Sequence, residues 1–299
     1  MPVLLSEADY TDENSVNGRE LRAITETARL MGFRVVSIPR DTASVGGIGA
    51  ALAWTPRFDP PETGIWAGYI PAAGHYAEVY AAAAERGIRL INDPDQHTRA
   101  MDFDGFYPRL AELTPRSITA DTVEAAAAGA AALGYPVFVK GAVKSSKESG
   151  WNACVAEDET ALREIAGSLL SRPGRSRGRV IVRRLAPLRR TGETPGGFPL
   201  SREYRIFMLH GELVSSGYYW EGTSDPWPLT PDDEAAMLGL ARKAARLLDV
   251  PFVAIDAGQL ESGEWIVIES GDAQFCGLSQ ASMLAIWNRL SSVERTPHS

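Results

Sequence analysis

The 299-residue sequence predicts an α/β protein with room for two domains or lobes. Three observations carry that prediction. Helix and strand signals alternate through the first third, the pattern of an open α/β sheet. A polar, proline-punctuated stretch, DPDQHTRAMDFDGFYPRLAELTPRS, then suits a connection between lobes. Beyond it, helices are interspersed with apolar strands that pair as hairpins.

Each element has a local reason. Leu21, Ile24, Ala28 and Leu30 recur at helical spacing between Gly18 and Met31, Gly32 stops that helix, and the strand FRVVSI follows. HYAEVYAAAAERG reads as a helix ending at Gly87 before the strand IRLIN. After the connection come the alanine-rich helix DTVEAAAAGAAALG and the strand YPVFVK. The helix DETALREIAGSLLSR leads to the strand GRVIVRRL, and residues 187–200 read as a mobile loop. EYRIFMLHGELVSSGYYW is a hairpin turning at His210-Gly211, and a long helix from Thr230 to Leu248 precedes a second hairpin.

That second hairpin holds an unusual pair of acids. Two apolar runs, Phe252 to Leu260 and Trp265 to Ile268, flank Ser262-Gly263, a pair suited to a two-residue turn. Such a turn sets Asp256 opposite Glu269, where like charges about 5 Å apart repel. A shared proton, a nearby Arg or Lys, or a divalent cation would offset the repulsion. Hard cations such as Mg²⁺ favour carboxylate oxygens beside substrate phosphates.

Basic residues supply a complement. Lys140 ends an apolar strand and opens GAVKSSKESGW, where Lys144 and Lys147 stand among small residues. Lysines and backbone N–H groups of such a loop can reach phosphate oxygens, or simply be solvated. Eight arginines fall between Arg172 and Arg190, six of them in stretches that read as exposed loops, as a positive rim would place them. Arg183 and Arg184 are consecutive on a strand, so only one can face a given site. Glu203 and Arg205 share a strand face and could orient a charged ligand or form an ordinary ion pair.

Composition excludes several classes. A net charge of −8 argues against general nucleic-acid or membrane-surface binding. No run approaches the ~20 apolar residues of a membrane helix, so a soluble cytoplasmic protein is expected. Two cysteines build no disulfide framework, and Cys276 reads as small buried packing sooner than as a nucleophile. The four histidines show no metal spacing, GGIGA at 46–50 does not directly follow a strand, and neither a P-loop nor a G-x-S-x-G elbow occurs.

Lysines at strand ends, an arginine-bearing strand and facing acids on a late hairpin together resemble the ATP-grasp superfamily of carboxylate–amine ligases. The sequence is most similar to the clade named for one arginine and two lysines. The similarity rests on GIWAGYI, LINDPDQHTRAMDFDGFYPRLAELTPRS, VKGAVKSSKESGWNACV, VRRLAPL, EYRIFMLHGELVSSGYYWE and VAIDAGQLESGEWIVIESGDAQFCGLS, spanning roughly residues 64–280. It implies a pre-grasp domain over residues 1–112 and an ATP-grasp domain over 113–299, with a lysine-bearing lobe at 113–184 and a metal-bearing lobe at 185–299.

The resemblance also implies roles. Lys140 and Lys144 would contact ATP phosphates, with Arg183 near the nucleotide or acyl-phosphate. Arg184, Leu185, Ala186 and Leu188 would border the adenine along the hinge, and Glu203 would join the nucleotide site. Arg205 would meet the transferring phosphoryl group or acceptor carboxylate, acting with Lys144 in catalysis. Asp256 and Glu269 would hold Mg²⁺, two ions in all. Relatives usually carry an asparagine two residues after that glutamate; here the position is Gly271, and Asp272 is the expected substitute. Arg184 and Gly141 also depart from the acidic residues common at those positions. The implied reaction phosphorylates a carboxylate with ATP and joins it to an amine, releasing ADP and phosphate. Both a small molecule and a peptide are open as the source of the carboxylate. The other expectations are a Mg-ATP-binding module without ligation, and an ATP-dependent modifier of a peptide or protein terminus.

Overall fold

The structure, a computed structural model, describes residues 1–142, 145–194 and 196–293. The N-terminal third comprises β1 (Val3–Ser6), α1 (Val16–Leu30), β2 (Arg34–Ser37), α2 (Ile48–Ala51), β3 (Glu62–Ala67), α3 (Ala73–Glu85) and β4 (Ile88–Leu90). Its four strands are all parallel, in the order β2-β1-β3-β4. Such a sheet must be covered on both faces. Val3 and Leu5 pack with Trp66, Tyr76 and Val79 on one side, while Leu4 packs with Leu21, Ala28 and Phe33 on the other. Ser15 caps α1 by accepting from the Gly18 amide at 2.9 Å.

The connecting stretch is not an open linker. It folds as α4 (Pro94–Met101) and α5 (Phe103–Leu110). Pro94 at the first helical position and a reciprocal Asp93–Gln96 capping box start α4. Phe103, Phe106 and Leu110 of α5 enter the core of the last sheet. Apart from His97, which is buried, the polar residues of α4 and α5 lie toward the outer side of two short amphipathic helices.

Next come β5 (Ser117–Ala120), α6 (Val123–Leu133), β6 (Val137–Gly141), β7 (Val155–Ala156), α7 (Glu159–Leu170), α8 (Pro173–Ser176) and β8 (Val180–Arg184). The strands form an antiparallel sheet in the order β5-β8-β6-β7. Strand alternation divides its residues. Val137, Val139, Val180 and Val182 pack on Ala126, Ala130, Leu162 and Ala166 of the helices, which leaves Lys140 and Arg183 on the other face. The stretch expected to be a mobile loop contains a small hairpin, β9 (Arg190–Glu193) with β10 (Pro199–Ser201).

The chain closes with β11 (Glu203–Leu209), β12 (Glu212–Tyr218), α9 (Pro231–Leu248), β13 (Phe252–Gln259), β14 (Trp265–Asp272) and α10 (Met283–Ser291). This second antiparallel sheet runs β12-β11-β13-β14. Its Ile206, Met208, Val253 and Ile255 pack on α9, where Met237, Ala241 and Leu248 are fully buried. Phe207, Leu209 and Phe252 on the opposite face join the N-terminal core, and the rest of that face looks across at Lys140 and Arg183. Among the described residues no helix is long and apolar enough to cross a membrane.

Candidate active site

The two antiparallel sheets enclose a cleft of about 1220 Å³. Drug-sized ligands fill pockets of roughly 300–1,000 Å³, so there is room for a nucleotide and a second molecule. Asp256 and Glu269 do face each other on β13 and β14, although the turn differs from expectation. Leu260 pairs with Glu264 around a three-residue loop, Glu261-Ser262-Gly263, in which Gly263 takes a φ of 95°. That loop alone would set Asp256 opposite Ile268. A register shift between Asp256 and Ala257 takes up the extra residue, so Ala257 faces Val267 while Asp256 faces Glu269. Arg183 holds the bulge, donating from Nη1 to the Ile268 carbonyl at 2.6 Å and from Nε to Ser117 Oγ at 3.1 Å.

Each acid is neutralised by its own base. Arg205 lies opposite Asp256 across β11 and β13 and donates two parallel hydrogen bonds, Nε to Oδ1 at 2.8 Å and Nη2 to Oδ2 at 2.7 Å. Burial opposes the charge on Arg205, but Asp256 holds it protonated well above the ordinary arginine value. Lys140 is buried and ion-paired to Glu269. Burial works against the Glu269 carboxylate; Lys140, Arg183 and Lys147 outweigh it and hold the group below its ordinary value. The Glu269 side chain is 39% accessible and borders the cleft, so a ligand can compete for it. Burial alone lowers Arg183, with Glu269 acting in the opposite sense.

Lys147, which sequence reasoning left among loop lysines, belongs to the site. Its ammonium stands 5.0 to 5.6 Å from the rings of Trp220, Phe198 and Tyr219. Burial opposes its charge, and Glu203 leads the nearby groups that restore it. Lys144 lies outside the described residues. Glu203 is 2% exposed; its Oε1 accepts from Ser201 Oγ at 2.6 Å, while Oε2 has no partner among the described residues. A sealed carboxylate oxygen without a donor is costly, and Glu203 is among the residues that line the cleft.

The connection after β8 passes along one end of the cleft. Leu185, Ala186 and Leu188 line it, tied to the β13–β14 loop by the Leu188–Leu260 bridge and by the Glu261 amide donating to the Pro187 carbonyl at 2.8 Å. Arg184 alternates away from Arg183 and stands exposed at the rim. Arg177 and Arg179, expected on solvated loops, instead cross to the N-terminal side. Arg177 donates to the Pro71 carbonyl at 3.3 Å, and Arg179 pairs with Asp104.

Asp272 is placed differently from the expected metal ligand. It follows Glu269 by three positions, so strand alternation turns it to the other face. Its carboxylate is fully buried and accepts from Asn92 Nδ2 at 2.8 Å, His97 Nδ1 at 2.9 Å and the Gln274 amide at 3.1 Å. It ties the last sheet to the N-terminal third and does not line the cleft. Gly271 does face the cleft, but a Cβ there would lie 2.7 Å from Cys276 Sγ, so a side chain has no space. Among the described residues no cluster of three or more His, Cys, Asp or Glu side chains is arranged to hold a metal. Two opposed hard carboxylates nevertheless fit Mg²⁺ carried in with phosphates, which needs only one or two protein carboxylates.

Comparison with known proteins bears on the family and the fold. The model of an ATP-grasp domain, family 3 of the clade named for one arginine and two lysines, matches residues 129–290, more than half of the chain. No curated protein matches the sequence. Among solved structures, the RimK domain protein ATP-grasp from Sphaerobacter thermophilus is similar over 98% of this chain and 100% of its own, at 17% identity and a TM-score of 0.60. A D-alanine–D-alanine ligase from Bacillus anthracis, solved with ATP, covers 93% of this chain and 87% of its own, at 13% identity and a TM-score of 0.64. A D-cycloserine synthetase covers 97% and 98%, at 14% identity and a TM-score of 0.60. Identities this low speak for the fold alone. The family match over residues 129–290 goes further, and the chain belongs to the ATP-grasp proteins, in family 3 of the clade named for one arginine and two lysines.

Proposed function

We propose that this protein is an ATP-dependent ligase that phosphorylates a carboxylate and joins the resulting acyl group to an amine. The observation that carries the reading is the facing of Asp256 and Glu269 in one cleft with Lys140, Arg183 and Arg205. Those groups are what phosphoryl transfer needs, since its catalysis is positioning and charge neutralisation. The hinge at Leu185, Ala186 and Leu188 receives the nucleotide base, with Arg184 at its rim. Lys140 and Lys147 hold phosphate oxygens, and Lys144, between them in the sequence, is proposed to join them. Glu203 takes a donor from the nucleotide or orients Lys147.

Asp256 and Glu269 would hold Mg²⁺, which neutralises phosphate charge when bound; with Asp272 turned away, these two acids are the proposed ligand set. Arg205 then directs its fork at the oxygens between ATP and the acceptor. A carboxylate oxygen attacks the γ-phosphorus and the bond to ADP breaks. The amine nitrogen attacks the acyl carbon, the C–O bond to phosphate breaks, and the nitrogen gives up a proton. The proposed division is a pre-grasp domain of residues 1–112 and an ATP-grasp domain of 113–299. The Arg177 tie to Pro71 borders one end of the cleft, which favours a small-molecule carboxylate over a protein tail.

The test supplies Mg-ATP with a pool of amino acids and other small carboxylates, and reads ADP release and trapping of the acyl-phosphate by hydroxylamine. A carboxylate-dependent hydroxamate is expected. ATP binding without ADP or hydroxamate from any carboxylate would leave a bare nucleotide-binding module as the better description.

A further inference from the structure

His97 belongs to the Asp272 network yet also borders the cleft. Its ring is held from three sides. Asp272 accepts from Nδ1, Tyr76 stacks on one face at 4.1 Å with the planes 2° apart, and Phe275 meets it edge-on at 5.3 Å. Because Nδ1 donates to a carboxylate, the neutral ring keeps its lone pair on Nε2. The residue is 2% exposed, and Nε2 has no hydrogen-bond partner among the described residues. Nε2 is also not one of their fully sealed polar atoms, so the atom reaches the cleft.

Its position along the cleft follows from β14. That strand runs from the hinge side, where Glu261 meets Pro187, to Asp272 beside the N-terminal third. Asp272 lies three residues beyond Glu269, about 10 Å at ~3.3 Å per residue. His97 therefore stands past the acids, on the side away from the hinge. Arg205 reaches the same end, donating from Nη1 to the Gly277 carbonyl at 2.8 Å. Ile70, Met101 and Phe275 line the wall there, and the charged residues near them, Arg177 and Asp102, face each other at 3.9 Å.

A fixed lone pair bordered by Ile70, Met101 and Phe275 repels a carboxylate and accepts an N–H. We propose that His97 Nε2 receives an N–H of the acceptor amine and orients it beside Arg205, so that this end of the cleft is the amine-binding pocket. The inference rests on the ligase reading for its purpose, but it is a statement about binding and can be tested without turnover.

Two substitutions separate the ring's two nitrogens. His97→Asn places an amide N–H where Nδ1 was and keeps the Asp272 bond, but it loses the group at Nε2. His97→Gln restores a polar atom near Nε2. Amino-acid amides, which carry the amine without a carboxylate, are titrated against each protein by calorimetry with Mg²⁺ and a non-hydrolysable ATP analogue. His97→Asn should weaken their binding tenfold or more while the affinity for the ATP analogue stays near wild type. His97→Gln should recover at least a third of the loss. If the wild type binds none of the amides, or binds them no better than His97→Asn does, the proposal is wrong. Equal loss of amide binding in both variants would likewise overturn it, since His97 would then be only a strut. Failure of the ligase reading would show separately, as absent hydroxamate from a wild type that still binds amides.

Discussion

Removing Asp256 should cost stability as well as activity, because the acid that would hold Mg²⁺ also neutralises Arg205. Two opposed carboxylates read from sequence suggest that deleting one leaves the apo fold largely intact. The structure reverses that expectation. Arg205 and Asp256 are only 14% and 6% exposed at their side chains, and they are joined by two hydrogen bonds of 2.7 and 2.8 Å. In Asp256→Ala the guanidinium stays buried with the Gly277 carbonyl as its remaining acceptor. Breaking one side of a buried pair typically costs about 3–5 kcal/mol, because the other charge is stranded. For a chain of this size each kcal/mol shifts the midpoint by roughly 2–4 °C, so a fall of about 6–20 °C is expected. Thermal unfolding of the apo protein measures it. Arg205→Met in the Asp256→Ala background should return most of the loss by removing the stranded charge. An Asp256→Ala midpoint within about 2 °C of wild type, with no rescue by the second change, would refute the pairing argument.

Glu269→Gln should be less stable than wild type near pH 7 by an amount that vanishes in acid. Burial opposes the Glu269 charge, but Lys140 and its neighbours hold the folded carboxyl below 4.5, so its stabilisation is full above that value and is lost as pH falls through the lower folded one; urea midpoints that differ equally at pH 7 and pH 3 would contradict this. Lys140→Met should weaken ATP by tenfold or more while leaving adenosine nearly unchanged, read by calorimetry, and equal losses would assign Lys140 a structural role. Arg205→Lys keeps the charge but not the fork, so hydroxamate formation should fall about 10²–10³-fold with little change in ATP affinity; an unchanged trapping rate would remove Arg205 from the reacting centre. Burial pushes the Cys276 thiol up to about 12, so iodoacetamide at pH 8 should leave it unmodified in the folded protein, and rapid alkylation seen by mass spectrometry would show otherwise.

Much of the site was legible because it lies on strands. Alternation alone separates Arg183 from Arg184 and places Glu203 and Arg205 on one face, and β-sheet pairing confronts Asp256 with Glu269. The same alternation, applied three residues beyond Glu269, turns Asp272 from the face that Asp256 and Glu269 share, so its placement also lies within the strand's own periodicity. A two-residue turn is one residue too short and takes no account of the bulge at Ile268, and these two errors cancel at Asp256. No local signal marks such a bulge, because its stabilising contact comes from Arg183 on another sheet.

The sequence by itself determined the α/β class, the order of helices and strands, and which residues share a strand face. Those properties reside in periodicity, caps and turn residues within one segment. Only the tertiary structure decided which base neutralises which acid, that Lys147 enters an aromatic cage, and that Asp272 serves the His97 network. It also decided that residues 94–110 are packed helices and that Arg177 and Arg179 bridge to the N-terminal side. Each of those outcomes depends on how separate sheets are set against one another. That arrangement is chosen by the shared apolar cores of α5 with α9 and of α1 with α10, summed over residues far apart in the chain.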